Sequence, residues 1–186
     1  MTKLLFQFIS IFIISATMLL LNTDTYAKVP EWFTKFSKIE VMKSTRNEVE
    51  KLFDGYTIVY QKEFPREKDI EYKRNGDLLR VAYSTGKCSE AIGPPKTTQF
   101  GDITFSSNGY DVENDVVISA DYRPKKEQKF TTFKVDVSNY HYYKSDDTSN
   151  YFYENNLLGI FYTLARNKLT SVQFGIPESR QSLSCK

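Results

Sequence analysis

The segment "IEYKRNGDLLRVAYS", Ile70 to Ser84, leaves the chain little choice of fold. Asn75-Gly76 is the strongest short hairpin signal, because both central turn positions must accept positive φ. The flanking runs alternate polar and apolar residues, which predicts strands over about Asp69–Lys73 and Leu78–Ser84. An antiparallel sheet follows, and its neighbours extend it. "YTIVYQ" (Tyr56 to Gln61) and "DVVISADYRP" (Asp115 to Pro124) are β-branched and aromatic, the second closed by its proline. The last third predicts strands near Tyr140–Lys144, Asn150–Glu154, Gly159–Leu164 and Leu169–Phe174, with a turn at Arg166-Asn167-Lys168. Both halves thus end in a hairpin with an Asn-containing turn, as in a diverged duplication.

One helix is clearly signalled. In "STRNEVEKLFDG", Thr45 and Glu48 have the spacing of a capping box, each side chain satisfying a free backbone N–H of the first turn. Val49, Leu52 and Phe53 share one face, and Gly55 stands where the helix would stop. So short a helix is unstable alone and must lie on the sheet. Before it, Pro30 introduces Trp32, Phe33 and Phe36 at one-turn spacing, a docking turn that needs burial. Between Thr85 and Val112 runs a Gly/Pro-rich stretch whose "TTQFGDITF" predicts a minor hairpin. Long insertions of this kind are more often functional or disordered than neutral.

Residues 1–27 read as an export signal: Lys3, an apolar run from Leu4 to Leu21, then a polar break ending in Ala27. The apolar run is also just long enough for a permanent anchor, but the polar break favours cleavage. No cysteine follows it to carry a lipid. Cleavage leaves 28–186 as one domain with a formal charge of +2, since the signal holds one Lys and one Asp. That balance lacks the basic field of a nucleic-acid binder, and "RPKKEQK" (Arg123 to Lys129) reads as a solvated turn. Periplasmic or secreted localisation is expected.

The chain has two cysteines, Cys88 and Cys185, and one histidine, His141. In an oxidising compartment the two cysteines are expected to pair. A bridge closing a loop of roughly 100 residues is worth about 5 kcal/mol on the chain-entropy model. The rival is an activated Cys88 thiolate with His141 as its base. No zinc spacing, no Gly-x-Ser-x-Gly elbow and no phosphate-cradling loop is present. Asp111, Glu113 and Asp115 alternate as if on one side of a strand, an exposed acidic edge lacking the turn glycine and closing glutamate of a Ca²⁺ loop. Paired Asp146 and Asp147 belong to a polar turn. No catalytic residue, metal or cofactor is assigned.

The chain has 13 tyrosines and 14 phenylalanines. Tyr140, Tyr142, Tyr151, Tyr153 and Tyr162 alternate with their neighbours, so some are expected to face outward as a candidate binding surface. The other reading is an aromatic sheet sharing its rings between core and solvent through cross-strand pairs.

"KSTRNEVEKLFDG" resembles the helix signature of exported domains of the β-lactamase-inhibitor-protein-like kind and of small outer-membrane assembly lipoproteins. "STRNEVEKLF", "RVAYSTGKC", "DVVISADYRP", "YFYENNLLGIFY" and "LTSVQFG", in that order and ending in a cysteine, resemble a family of exported bacterial proteins that carries no known activity. The chain departs from the lipoproteins in lacking a lipidated cysteine. The resemblance implies an α+β fold and a binding role, and it supplies no catalytic residue.

The expectation is therefore one exported α+β domain: an antiparallel sheet of about seven strands, a short N-terminal helix on one face, and a Cys88–Cys185 staple. It acts as a monomeric, non-enzymatic interaction module of the cell envelope on another envelope or secreted protein. The alternatives are an inhibitor of a secreted enzyme and a thiol-dependent enzyme using Cys88.

Overall fold

The computed structural model describes residues 28–88, 96–100, 103–107, 109–146 and 149–185, with the backbone alone for 96–100 and 103–107. The export-signal reading of residues 1–27 lies outside them, as does Asp147. No described helix is long and apolar enough to cross a membrane.

Two short helices open the described chain: α1 (Glu31–Phe36) and α2 (Arg46–Leu52). Both halves of the expected capping box are made. The Glu48 backbone N–H donates to Thr45 Oγ1 at 3.4 Å, and the Thr45 N–H donates to Glu48 Oε2 at 2.7 Å. Three strands follow in meander: β1 (Thr57–Phe64), β2 (Glu67–Arg74) and β3 (Asp77–Ser84). Asn75 and Gly76 form the β2–β3 turn with φ of 53° and 95°. The chain then leaves the sheet for a separate two-stranded hairpin, β4 (Lys96–Phe100) and β5 (Ile103–Ser107), where the minor hairpin was expected. It returns as β6 (Val117–Arg123) and β7 (Gln128–Lys129), makes the 3₁₀ turn η1 (Phe130–Phe133), and finishes through β8 (His141–Lys144), β9 (Asn150–Asn155), β10 (Ile160–Ala165) and β11 (Lys168–Phe174). A second 3₁₀ turn, η2 (Glu178–Leu183), leads to Cys185.

The main sheet is wholly antiparallel, with the order β1-β2-β3-β6-β11-β10-β9-β8 and β7 added against β11. It has nine strands where about seven were expected, and with only short helices the fold is mainly β. The unforeseen strand is β7. Its Gln128 and Lys129 pair with Leu169 and Lys168, in a segment whose charge read as a solvated turn. Arg166 and Asn167 alone form the β10–β11 turn, both at positive φ. Gly159 before β10 is forced by close approach: at φ 68°, a Cβ there would lie 2.4 Å from the Gly175 carbonyl oxygen.

The acidic triplet differs from its expectation. Residues 111–115 form a turn, not a strand edge, and each carboxylate takes its own partner. Asp111 accepts from the Cys88 N–H at 3.3 Å, while Glu113 pairs with Lys87 at 2.7 Å and Asp115 with Lys68 at 3.1 Å. Asp115 itself sits at φ 58°.

The main core lies on one face of the sheet, under α1, α2 and η1, and a smaller buried cluster of Met42, Ala82 and Ile118 packs separately with Tyr110 and Ile176. Val49 and Phe53 from the α2 end, Phe36 from α1 and Phe133 from η1 join Ile70, Leu79, Val81, Tyr122, Leu169 and Val172 of the sheet. Trp32 stacks on Tyr122 with ring centroids 4.3 Å apart and planes within 2°. The docking turn behind Pro30 is thus a helix whose aromatics cap the centre of the sheet.

The Cys88–Cys185 disulfide forms, with Cα atoms 5.5 Å apart, and among the described residues no cysteine is free. It suits a non-reducing compartment. It also removes the thiol that the enzyme reading placed at Cys88.

Replacing Leu79, which is fully buried, by Ala should cost about 2–5 kcal/mol, while Thr45→Ala should cost about 1 kcal/mol through loss of the cap. Urea unfolding of both variants checks the order. Equal losses would mean that α2 does not dock as described.

Candidate functional site: the open face of the sheet

Alternate residues of a strand face opposite sides, and an antiparallel register aligns them in rows across neighbouring strands. One row runs Ile58–Tyr72–Leu79–Tyr122–Val172–Tyr162–Tyr153–Tyr142, from β1 to β8. Every member is apolar or aromatic; the row is buried from Tyr72 to Tyr162 beneath the helices, while its ends, Ile58 and Tyr142, are exposed. The neighbouring row on the opposite face runs Tyr60–Glu71–Arg80–Asp121–Gln173–Phe161–Glu154–His141. It also crosses all eight strands of the sheet order, and its centre is charged or amide.

This second row forms the candidate site. Arg80 Nε donates to Glu71 Oε1 at 2.8 Å, and the carboxylate's hydrogen bond pushes the guanidinium pKa further up. Arg123 Nε donates to Asp121 Oδ2 at 2.8 Å. Asp121 nevertheless has its pKa raised, because burial outweighs the lowering by Arg123 and Arg80. A shallow cleft of about 240 Å³ sits over these charges, bordered by Asp69, Arg80, Asp121, Arg123 and Gln173. At the β8 end the row meets rings: His141 stacks on Tyr143 at 5.7 Å and Tyr143 on Phe152 at 4.9 Å. Charges with their own partners and rings at one end can make directional contacts to a macromolecule. Among the described residues no three His, Cys, Asp or Glu side chains converge on a metal site.

The five tyrosines singled out from sequence come together, but on the helix side. Tyr140 lies 5.7 Å from Tyr162, and Tyr142 lies 5.0 Å from Tyr153 and 6.0 Å from Tyr151, centroid to centroid. Phe130 of η1 packs on Tyr153 and Tyr162. Tyr162 is only 5% exposed, and Tyr140, Tyr151 and Tyr153 are half-buried against the core. Tyr142 alone of the five is open, at 51% on the edge strand β8. Their shared-ring reading describes this end of the sheet better than an outward patch.

The polar row went unnoticed in the sequence, yet its signal was there. In "DIEYKR", "DLLRVAYS" and "VISADYR" a charged residue stands mid-strand between apolar ones. Cross-strand alignment of those charges depends on register, which no single strand reveals.

The chain matches no family model, no curated protein and no solved structure, so geometry alone carries the functional reading.

The raised pKa of Asp121 has a definite sign. Folding opposes its ionisation, so the associated destabilisation is present above the folded-state pKa and fades as pH falls through that value toward the ordinary Asp range. Asp121→Asn should therefore be at least as stable as the parent at neutral pH, with the difference shrinking toward acid. Melting temperatures of both proteins across the acid range check this, and a variant less stable at pH 7 would contradict it.

Proposed function

We propose that this chain is a non-enzymatic, exported interaction domain that docks an envelope or secreted protein partner on the open face of its sheet. The observation that carries the reading is the polar row. Four neighbouring strands, β2, β3, β6 and β11, place Glu71, Arg80, Asp121 and Gln173 side by side on a face that α1, α2 and η1 leave uncovered. Paired charges of alternating sign favour specificity and register over bulk affinity, and the Phe161 and Tyr143 rings supply apolar anchors nearby. A periplasmic or secreted location fits the disulfide.

The finer architecture is an α+β domain built as a diverged duplication. The strand order supports this, since β1-β2-β3-β6 is mirrored by β8-β9-β10-β11 and the halves join through antiparallel β6 and β11. Helices α1 and α2 precede the first half, and η1 precedes the second. The two Asn-containing turns do not support it, because they fall between β2 and β3 in one half and between β10 and β11 in the other. Likeness to the inhibitor-protein-like domains is kept at this level of architecture.

Inhibition of a secreted enzyme is the second reading. Strands β4 and β5 pair only with each other among the described strands, in an insertion stapled at Cys88. Such a hairpin is suited to entering a partner's cleft.

The test immobilises the exported protein and passes over it the extracytoplasmic proteins of its host. Gln173→Lys, at the exposed middle of the row, should weaken capture by about tenfold, while Lys125→Glu away from the face should not. A partner held equally by all three proteins, or no reproducible partner, would refute the reading.

A further inference from the structure

We infer that the turn between β9 and β10, with Leu157 and Leu158 at its tip, docks on the surface of a lipid bilayer. This contact goes beyond the protein-docking reading and uses none of the polar row.

Local turn chemistry does not ask for these residues. The Gly159 N–H donates to the Asn156 carbonyl at 3.2 Å, which makes Leu157 and Leu158 the central pair of a four-residue turn. Such positions favour Gly, Asn, Asp or Ser. Here they carry the two most exposed large hydrophobic side chains among the described residues, at 69% and 57%. The turn is also well tied. The Leu158 N–H donates to Asn155 Oδ1 at 3.1 Å, and the buried Asn155 amide donates to the Asn139 carbonyl at 3.2 Å. The Gly175 N–H donates to the Gly159 carbonyl at 2.7 Å, and the Glu178 N–H to the Asn156 carbonyl at 3.3 Å. A buried amide and the segment after β11 thus hold both leucines out in water. A tip fixed in this way loses little freedom on contact.

The surroundings select a bilayer as the occupant. Behind the tip, Val41, Ile160, Phe174 and Pro177 line an apolar groove of about 410 Å³. Phe174 packs on Phe36 of α1 at 4.5 Å, so the groove lies on the helix side of the sheet, and no residue of the polar row lines it. Its own charged residues are Glu40, Lys43 and Arg180, and Lys38 and Glu178 flank it in sequence, three cations against two carboxylates. Glu40 and Lys43 pair at 2.6 Å, while Arg180 Nη1 donates to the Met42 carbonyl at 3.1 Å, which anchors the guanidinium at the rim. A cation in excess is drawn to anionic headgroups. Leucine is among the side chains most favourable in hydrocarbon and is under-represented at protein hot spots. An exposed two-residue tip needs no matching pocket in a fluid lipid surface. Two such tips meeting in a second copy would bury far less than the roughly 1,000 Å² of a stable interface. Contact through two side chains is weaker than the about 10⁴ M⁻¹ of one myristoyl chain. It orients the protein on a membrane and does not anchor it.

The test sediments vesicles with the exported protein, purified without detergent, at about 5 mM lipid so that weak partition registers. Vesicles of phosphatidylethanolamine with phosphatidylglycerol should bind it about fivefold better than phosphatidylcholine vesicles. Leu157→Ser combined with Leu158→Ser should cut the bound fraction about tenfold. Val59→Ser, which removes a similarly exposed apolar side chain on β1, and Gln173→Ala on the docking face should leave it unchanged. Should the double variant fail to fold by circular dichroism, Leu157→Ala alone takes its place, with a fall of about threefold. No sedimentation with either vesicle, no preference for the anionic one, binding undiminished in a folded leucine variant, or an equal fall in Val59→Ser would each overturn the assignment.

Discussion

Cross-strand register is the constraint on which the rest of this molecule depends. A strand alternates faces at every residue, so a slip of one position would exchange its core row for its polar row. Here two adjacent rows differ completely: Ile58 to Tyr142 is apolar throughout, and Tyr60 to His141 is charged or amide at its centre. A slipped strand would bury Glu71, Arg80 or Asp121 beneath the helices, and an unpaired buried charge costs several kcal/mol at the least. The same alternation that defines the core therefore exposes the candidate binding face.

Tyrosine serves as a core residue here because its hydroxyl finds a partner. Tyr122 donates to Asp77 Oδ2 at 3.0 Å and shares a 2.6 Å hydrogen bond with Tyr56. Tyr72 donates to Glu50 Oε1 at 3.2 Å and shares a 3.1 Å hydrogen bond with Tyr83. Burial drives the Tyr122, Tyr83 and Tyr162 phenols well above their ordinary range and Tyr72 to about 12, so all remain neutral. These bonds reach from the sheet to residues near α2 and the β3 start, fixing where α2 lies. The large rings fill the space between α1, η1 and the sheet, with Trp32 stacked on Tyr122 at the centre. What looked like contact surface in composition is mostly packing.

Local chemistry made much of the fold legible. Asn75-Gly76, the Thr45/Glu48 capping box, the minor hairpin and the Cys88–Cys185 pairing each rest on a few neighbouring residues or on compartment, and each appears in the structure. The side taken by the tyrosines was not legible, because alternation divides a strand into two faces without saying which one a helix will cover. Register shifts add to the difficulty. Breaks in pairing between Ile58 and Tyr60, between Ala82 and Tyr83, and between Thr163 and Leu164 reset the alternation inside three strands. Strand β7 was hidden for a related reason: its lysine and glutamine gain a place in the sheet only from the partner strand β11.

The middle of the polar row is open to solvent, whereas Tyr72, Tyr122 and Tyr162 of the apolar row are covered. Hydroxyl-radical footprinting of the folded protein, read residue by residue by mass spectrometry, tests it directly. Tyr60 and Tyr143 on the open face should be oxidised rapidly, and Tyr72, Tyr122 and Tyr162 under the helices should be strongly protected. Oxidation of Tyr122 and Tyr162 as fast as that of Tyr143 would mean that the helices do not cover that face, and the assignment of the binding surface would fall with it.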